Sequence, residues 1–459
     1  MTDPATSVDI DADLIRRDLA QLVSYPSVGG SESEASVQRW CAATLQGLGL
    51  DVDLWQLDLE ELRADPDYPG EEVEREEAWG CVGTWRPDVP ASGGGAGPRA
   101  AEGPGGGAGP RAAEGPGGGA GPRSAEGPGG GAGPRAAGDA VPELVLNGHV
   151  DVVPPGDADW WTAHDPWFLH EADGRWYGRG TCDMKGGVVA ILAAVRAVGD
   201  RLTKPFAVHL VVGEEDGGLG TFATLRRGHT GRACLIAEPT AGTVVSANAG
   251  SLTFRLEVRG KATHGSRAGH GVSAVELFEQ VHAALRRLDA ERNVDPPAPF
   301  TDRPWPLSVG VVQAGDWAST VPDLLVAEGR FGVRPGESFA DATAAFEAAV
   351  AAVDHPWLRE HPPVVTWPGG RFAAGALPDG HPFGASVRDA VVAGGGVEPP
   401  FVGAPYGSDL RQYAAAGIPT VQYGPGNIED AHAVDESVPI DEVVLSARTY
   451  AHLLLHHCS

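Results

Sequence analysis

ELVLNGHVDVV, residues 143–153, is the stretch that decides the fold. Leu144, Val145 and Leu146 make a short apolar run that reads as a buried strand. His149 and Asp151 follow at i and i+2, a spacing that points both side chains to one side of an extended backbone. An imidazole placed there can bind a metal while the carboxylate two residues on fixes its ring.

Four further stretches end in the same way. GRGTCDMKGG (178–187) leads into the helical pattern VVAILAAVRAV, so Asp183 is expected just before a helix N-terminus, among glycines that allow close backbone approach. Its two oxygens suit it to bridge two metals. FAVHLVVGEEDGGLGT (206–221) is a strand running into adjacent Glu214 and Glu215. Neighbours on a regular strand face opposite ways, so the backbone must turn there for both to reach one site, and Gly213, Gly217 and Gly218 permit it. One of the pair can bind metal and the other can move protons. CLIAEPT (234–240) ends a further strand at Glu238, and GPGNIEDAHAVDES (424–437) carries His432 in a glycine-started loop. These histidines and carboxylates suffice for two divalent metals with one carboxylate left over, which is the equipment of a metal-dependent hydrolase.

The segments GHVDVVP, GRGTCDMKGG, GEEDGGLGT, AEPT, KATHGS, GSDLR and GPGNIEDAHAVDESVPIDE, in this order, resemble the metallopeptidase family of acetylornithine deacetylase, succinyl-diaminopimelate desuccinylase, aminoacylase and the glutamate carboxypeptidases. The resemblance covers nearly the whole chain apart from one insertion. It implies that His149 and Glu238 hold one metal, that Glu215 and His432 hold the other, and that Asp183 bridges them. Glu214 is then the general base and Asp151 the orienting carboxylate. His264, in THGS, matches a position that stabilises the oxyanion, often from the partner subunit of a homodimer. An arginine in the strand EGRFGVRPGE clamps a substrate carboxylate in such proteins; Arg330 and Arg334 are both candidates, with the backbone around Gly407 and Ser408. Mixed nitrogen and oxygen ligands suit zinc best and are compatible with cobalt or manganese.

The activity so implied is hydrolysis of the amide of an N-acyl amino acid, in the manner of a deacetylase or desuccinylase. A dipeptidase or carboxypeptidase of the same family is the alternative, and a non-catalytic homologue that binds metal or an amino acid is the alternative of another class. A zinc aminopeptidase without an inserted domain has the wrong order of elements.

The order of elements predicts an α/β protein with a mostly parallel central sheet flanked by helices, interrupted by a smaller domain. The catalytic domain is expected over 1–247 and 369–459. Residues 248–368 read strand, helix, strand, strand, helix, strand, the order of a ferredoxin-like sandwich; the resemblance makes it a lid and dimerisation domain. Between about 91 and 138 the unit GGGAGPRAAEGP recurs every twelve residues with almost nothing to bury, so it reads as a flexible, low-complexity insertion.

A length of 459 residues is comfortable for two domains, and a net charge of −28 argues against nucleic acid or anionic membrane as partner. No apolar run approaches a membrane span, and the start MTDPATSVDIDADL lacks the basic and apolar parts of a signal peptide. Five cysteines without metal or disulfide spacing fit a reduced, cytoplasmic protein. Cys182, beside Asp183, reads as a small buried residue and not a nucleophile.

Overall fold

Asp11 opens the helix Ala12–Val23, its carboxylate accepting from the amides of Asp13 (3.0 Å) and Leu14 (3.1 Å); an N-cap of this kind contributes about 1 kcal/mol. Ile15, Leu19, Leu22 and Val23 recur at helical spacing and are buried. The computed structural model describes residues 8–87, 140–162 and 165–459. The repeat read at 91–138 lies outside the described residues, so the expectation placed on it is not addressed by the structure.

Among the described residues, the larger sheet has nine strands. Its order is Asp51–Gln56, Trp79–Trp85, Phe206–Val211, Leu144–His149, Cys234–Ile236, Thr420–Gln422, Val244–Asn248 and Gly375–Ala376, with Phe401–Ala404 also paired to Val244–Asn248. The four strands at its centre run parallel, while the pairings toward both edges are mixed or antiparallel. The helix Gly186–Val198 is apolar on almost every side because it is enclosed, packed against Ile440–Cys458, Ala12–Val23 and the strand Leu144–His149.

The second sheet is antiparallel, in the order Leu307–Ala314, Leu324–Val333, Gly250–Arg259, Val364–Thr366. With the helices Ala274–Arg292 and Phe339–Ala351 it follows the strand–helix–strand–strand–helix–strand order read from the sequence. It has its own core, in which Phe346 meets Phe254 at 4.8 Å and Phe331 at 5.3 Å between ring centroids. The sheet extends a little past residue 368, because Arg371–Phe372 returns to pair with Leu252 and Ser251.

Parallelism at the centre of the larger sheet positions the site. Leu144–His149, Phe206–Val211, Cys234–Ile236 and Thr420–Gln422 all point one way, so the residues that follow each of them emerge at one edge. Those residues are His149 and Asp151, the Glu214–Glu215 pair, Glu238 and the loop bearing His432.

Candidate metal centre

His149 is buried at the end of its strand, with Nε2 3.0 Å from Asp183 Oδ1 and 3.8 Å from Glu238 Oε1. Its Nδ1 lies 3.0 Å from the carbonyl oxygen of Asp151 and 3.5 Å from that residue's Oδ1. The ring is therefore oriented by the backbone of Asp151 more closely than by its carboxylate. The other oxygen of that carboxylate, Oδ2, accepts from the amide of Glu215 at 3.2 Å and so ties the two loops together.

His432 approaches from the opposite side. Its backbone is left-handed (φ 59°), its side chain is half exposed, and its Nε2 is 3.0 Å from Glu215 Oε2 and 3.4 Å from Asp183 Oδ2. One oxygen of Asp183 thus faces each histidine. Asp183 lies in a tight turn, Thr181–Lys185, directly before the helix Gly186–Val198. Buried Glu436 fixes that turn by accepting from the amides of Gly180 (3.0 Å), Cys182 (2.9 Å) and Asp183 (3.0 Å).

The backbone turns at the glutamate pair as expected, with Gly213, Gly217 and Gly218 at φ of 69°, 144° and 78°. Two donor sets result, each with ligand atoms within 4.8 Å of one another: His149, Asp183 and Glu215; and His149, Glu214 and Glu238. Glu214 therefore faces the cluster at a distance that suits a ligand as well as a base.

The electrostatics call for a cation. Burial, and then the carboxylates of Glu238 and Asp409, push Glu214 well above the usual carboxylate range. Burial and the charge of Asp183 raise Glu215 to about 7, although His432 offsets part of this. Burial also raises Glu238 well above its usual range. Burial alone would raise Asp183 too, but hydrogen bonds to His149 and His432 bring it below its ordinary value. Hydrogen bonds to Asp183 and Glu215 raise His432 to about 10. Four carboxylates sharing one buried site with only two imidazoles fit divalent ions, whose charge removes their mutual repulsion.

The remaining sequence candidates divide. Arg330 reaches from the second sheet to the loop before Gly407, donating from Nη2 to the Pro405 carbonyl at 3.2 Å, and its buried Nε has no hydrogen-bond partner among the described residues. Arg334 is engaged elsewhere: it donates to the Arg292 carbonyl at 2.7 Å, lies over the Trp305 ring, and its amide is held by Glu337. Gly407 is a close-approach glycine, since a Cβ there would lie 2.8 Å from Phe372. The Ser408 hydroxyl is buried, accepting from Gln422 and the Leu410 amide, and its carbonyl accepts from Arg411. His264 is exposed and caps its own turn, accepting from the Ser266 amide at 3.2 Å, and is not brought to the cluster within this chain. Cys182 is buried, its thiol directed to the Asn427 carbonyl and pushed up by burial.

Some residues of the site carry no assignment from sequence. Glu436 stands within the quoted C-terminal segment but has no metal-ligand spacing. Buried Arg75 joins Glu34 to Asp216, the residue after the glutamate pair, and nothing in the acidic stretch EEVEREE distinguishes it. Asp409, Arg411 and Gln412 secure the other end of the same turn: Asp409 accepts from the Thr221 hydroxyl, and the side chains of Arg411 and Gln412 donate to the carbonyls of Gly217 (2.6 Å) and Gly218 (2.7 Å). The motif GSDLR was the only signal for Asp409 and Arg411, and Gln412 lies just outside it.

Residues 145–456 match the model of peptidase family M20/M25/M40, and the chain belongs to that family. An N-formyl-4-amino-5-aminomethyl-2-methylpyrimidine deformylase of Bacillus subtilis is 28% identical over 69% of this chain and 79% of its own length. An acetylornithine deacetylase of Myxococcus xanthus is 30% identical over 70% of this chain and 82% of its own. Among solved structures, a tripeptidase of Staphylococcus aureus superposes with a TM-score of 0.64 at 17% identity, covering 97% of this chain and 98% of that one. The chain is a divalent-metal-dependent hydrolase of amide bonds. Among the described residues, no helix is long and apolar enough to cross a membrane.

Proposed function

We propose that this chain removes an acyl group from an N-acyl amino acid at a two-metal centre. The observation that carries the reading is the placement of Asp183, with one oxygen toward His149 and the other toward His432. His149 and Glu238 would hold one ion, Glu215 and His432 the other, and Asp183 would serve both. Zinc suits this donor set best, with cobalt or manganese compatible. Bound ions supply Lewis-acid activation of water and of the amide carbonyl.

The chain's own groups do the rest. Glu214 takes the proton of the attacking water and passes it to the leaving amine; burial and the neighbouring carboxylates raise its proton affinity. Asp151 keeps His149 and the Glu215 amide in register. Arg330, adjacent to the Pro405–Ser408 loop, clamps the substrate carboxylate, and the contacts of Arg334 support a structural role for it instead.

His264 enters the site of a second copy. In support, the edge strand Leu307–Ala314 exposes Val311 and Val312, Trp317 is exposed just beyond it, and His264 is bridged to nearby Thr320. An unpaired apolar edge of this kind suits strand-to-strand pairing with a second copy, giving a homodimer. The setting is cytoplasmic, in keeping with cysteines that are all free.

The test is hydrolysis of N-acetyl, N-succinyl and N-formyl amino acids and dipeptides by metal-reconstituted protein. Turnover confined to N-acyl amino acids supports the reading. Turnover confined to dipeptides makes the chain a peptidase of the family, and metal binding without turnover on any of them makes it a binding homologue.

A further inference from the structure

We propose that the seam between the two sheets holds a second ligand site, for a small monocarboxylate with an apolar body. A cavity of about 470 Å³ opens there, within the size range of small-molecule sites. The second domain contributes Phe339 to its wall, and Arg371 comes from the short strand that closes the second sheet; Tyr68, Phe222, Arg226 and Arg411 come from the larger domain. None of the proposed metal ligands lines it.

Charge and shape define the ligand. Arg226 is already matched by Asp65 (2.8 Å) and Asp67 (2.9 Å). Arg371 has no carboxylate partner among the described residues, and the side-chain hydrogen bonds of Arg411 go to backbone carbonyls. A chain of net charge −28 thus presents in one cavity an arginine, Arg371, without a matching acid among the described residues, between aromatic walls. One carboxylate paired with Arg371, with an apolar body against Phe222 and Phe339, satisfies both features. A dianionic phosphate would leave the aromatic walls uncovered.

The site is mechanically connected to the metal centre. Arg411 and Gln412 line the cavity and also hold the carbonyls of Gly217 and Gly218, which end the turn bearing Glu214 and Glu215. A ligand spanning the seam would steady that turn and the relative position of the two sheets, coupling occupancy to turnover.

The experiment titrates the full chain calorimetrically with 3-phenylpropionate, its neutral analogue 3-phenylpropan-1-ol and inorganic phosphate, with hydrogen exchange read on the complex. The acid should bind at least about 10-fold more tightly than the alcohol, the discrimination expected of a charge-assisted contact. Arg371→Gln should remove most of that preference. Ala415→Trp, which fills the cavity from an exposed helix position, should abolish binding and leave hydrolysis in the absence of the acid unchanged. Protection should appear at Asp67, Tyr68 and 410–416 and extend to 213–218. Equal binding of the alcohol, tighter binding of phosphate, wild-type affinity in Ala415→Trp, or protection confined to 143–153 and 424–437 would each overturn the proposal. Because binding is read directly, the result stands whichever substrate the enzyme hydrolyses.

Discussion

Glu214→Gln separates the base from the ligands. The side chain is buried beside Glu238, Asp409 and Glu215, so the substitution keeps its volume, removes an ionisable group from a crowded acidic site and creates no cavity. Nothing structural is lost, and the metal-free variant should melt no lower than the wild type. On the proposed mechanism, what disappears is the group that accepts the water proton, and a positioned acid/base contributes about 10²–10⁴-fold, or roughly 3–5 kcal/mol of barrier. The loss should fall on kcat with KM little changed, because ground-state contacts are intact. Metal content, measured by atomic absorption after reconstitution, should equal that of the wild type. Glu215→Gln, which alters the carboxylate facing His432, should show the reverse pattern, with weakened metal binding first. Near-normal turnover in Glu214→Gln would refute its role as base. Loss of metal from Glu214→Gln would instead make it a ligand, an outcome that its position near His149 and Glu238 renders a genuine test.

Metal-free protein should lose thermal stability as pH rises. Glu215 binds its proton more tightly folded (about 7) than unfolded, so its contribution declines from about pH 4.5 to 7; His432, raised to about 10, adds a decline from about 6.5 upward. Scanning calorimetry with and without zinc checks this, and a metal-free protein more stable at pH 8 than at pH 5.5 would contradict it. Mixing and reassociating His264→Ala with Glu214→Gln subunits should restore roughly a quarter of wild-type turnover, since half the dimers are mixed and each of those has one intact site; no recovery argues against action across the interface. Arg330→Ala should raise KM for the free acid and leave an amidated substrate unaffected, whereas Arg334→Ala should lower the melting temperature with little change in KM. Phe346→Ala should destabilise the second domain by about 3–5 kcal/mol in chemical denaturation, because it removes the ring shared by Phe254 and Phe331.

The parts of this protein that were legible in its sequence are those governed by local pattern. The helix Ala12–Val23 shows an acidic cap and apolar spacing, and the strand Leu324–Val333 an apolar run with a bounded end. His149, Glu238 and the glutamate pair were legible because each follows a buried strand, and parallel strands deliver their ends to one place. The edges of the larger sheet were not legible, since a strand such as Asp51–Gln56 carries no mark of which neighbour it pairs with or in which direction. Nor were the supports of the site. Arg75 meets Asp216, and Glu436 meets the Asp183 turn, across long intervals of chain, and such partnerships leave no periodicity. The proposed preference for Arg330 over Arg334 rests on their contacts with Pro405 and Trp305, which sequence spacing does not encode.

The strand Thr420–Gln422 sits between Cys234–Ile236 and Val244–Asn248 in the larger sheet, so a gap stays open in that sheet until residue 422 has been made. The second domain, by contrast, is contiguous from Gly250 to Phe372 and has its own core. During synthesis from the N-terminus it therefore has everything it needs to fold while the larger sheet still awaits a central strand. A chain stopped short of residue 420 should accumulate as one finished domain attached to an unfinished one, a state in which exposed strand edges invite aggregation or proteolysis. Completion of the hydrolytic site is thereby deferred until after the second domain has been made, and a product truncated before residue 420 would be recognised by its stability before its activity was ever at issue.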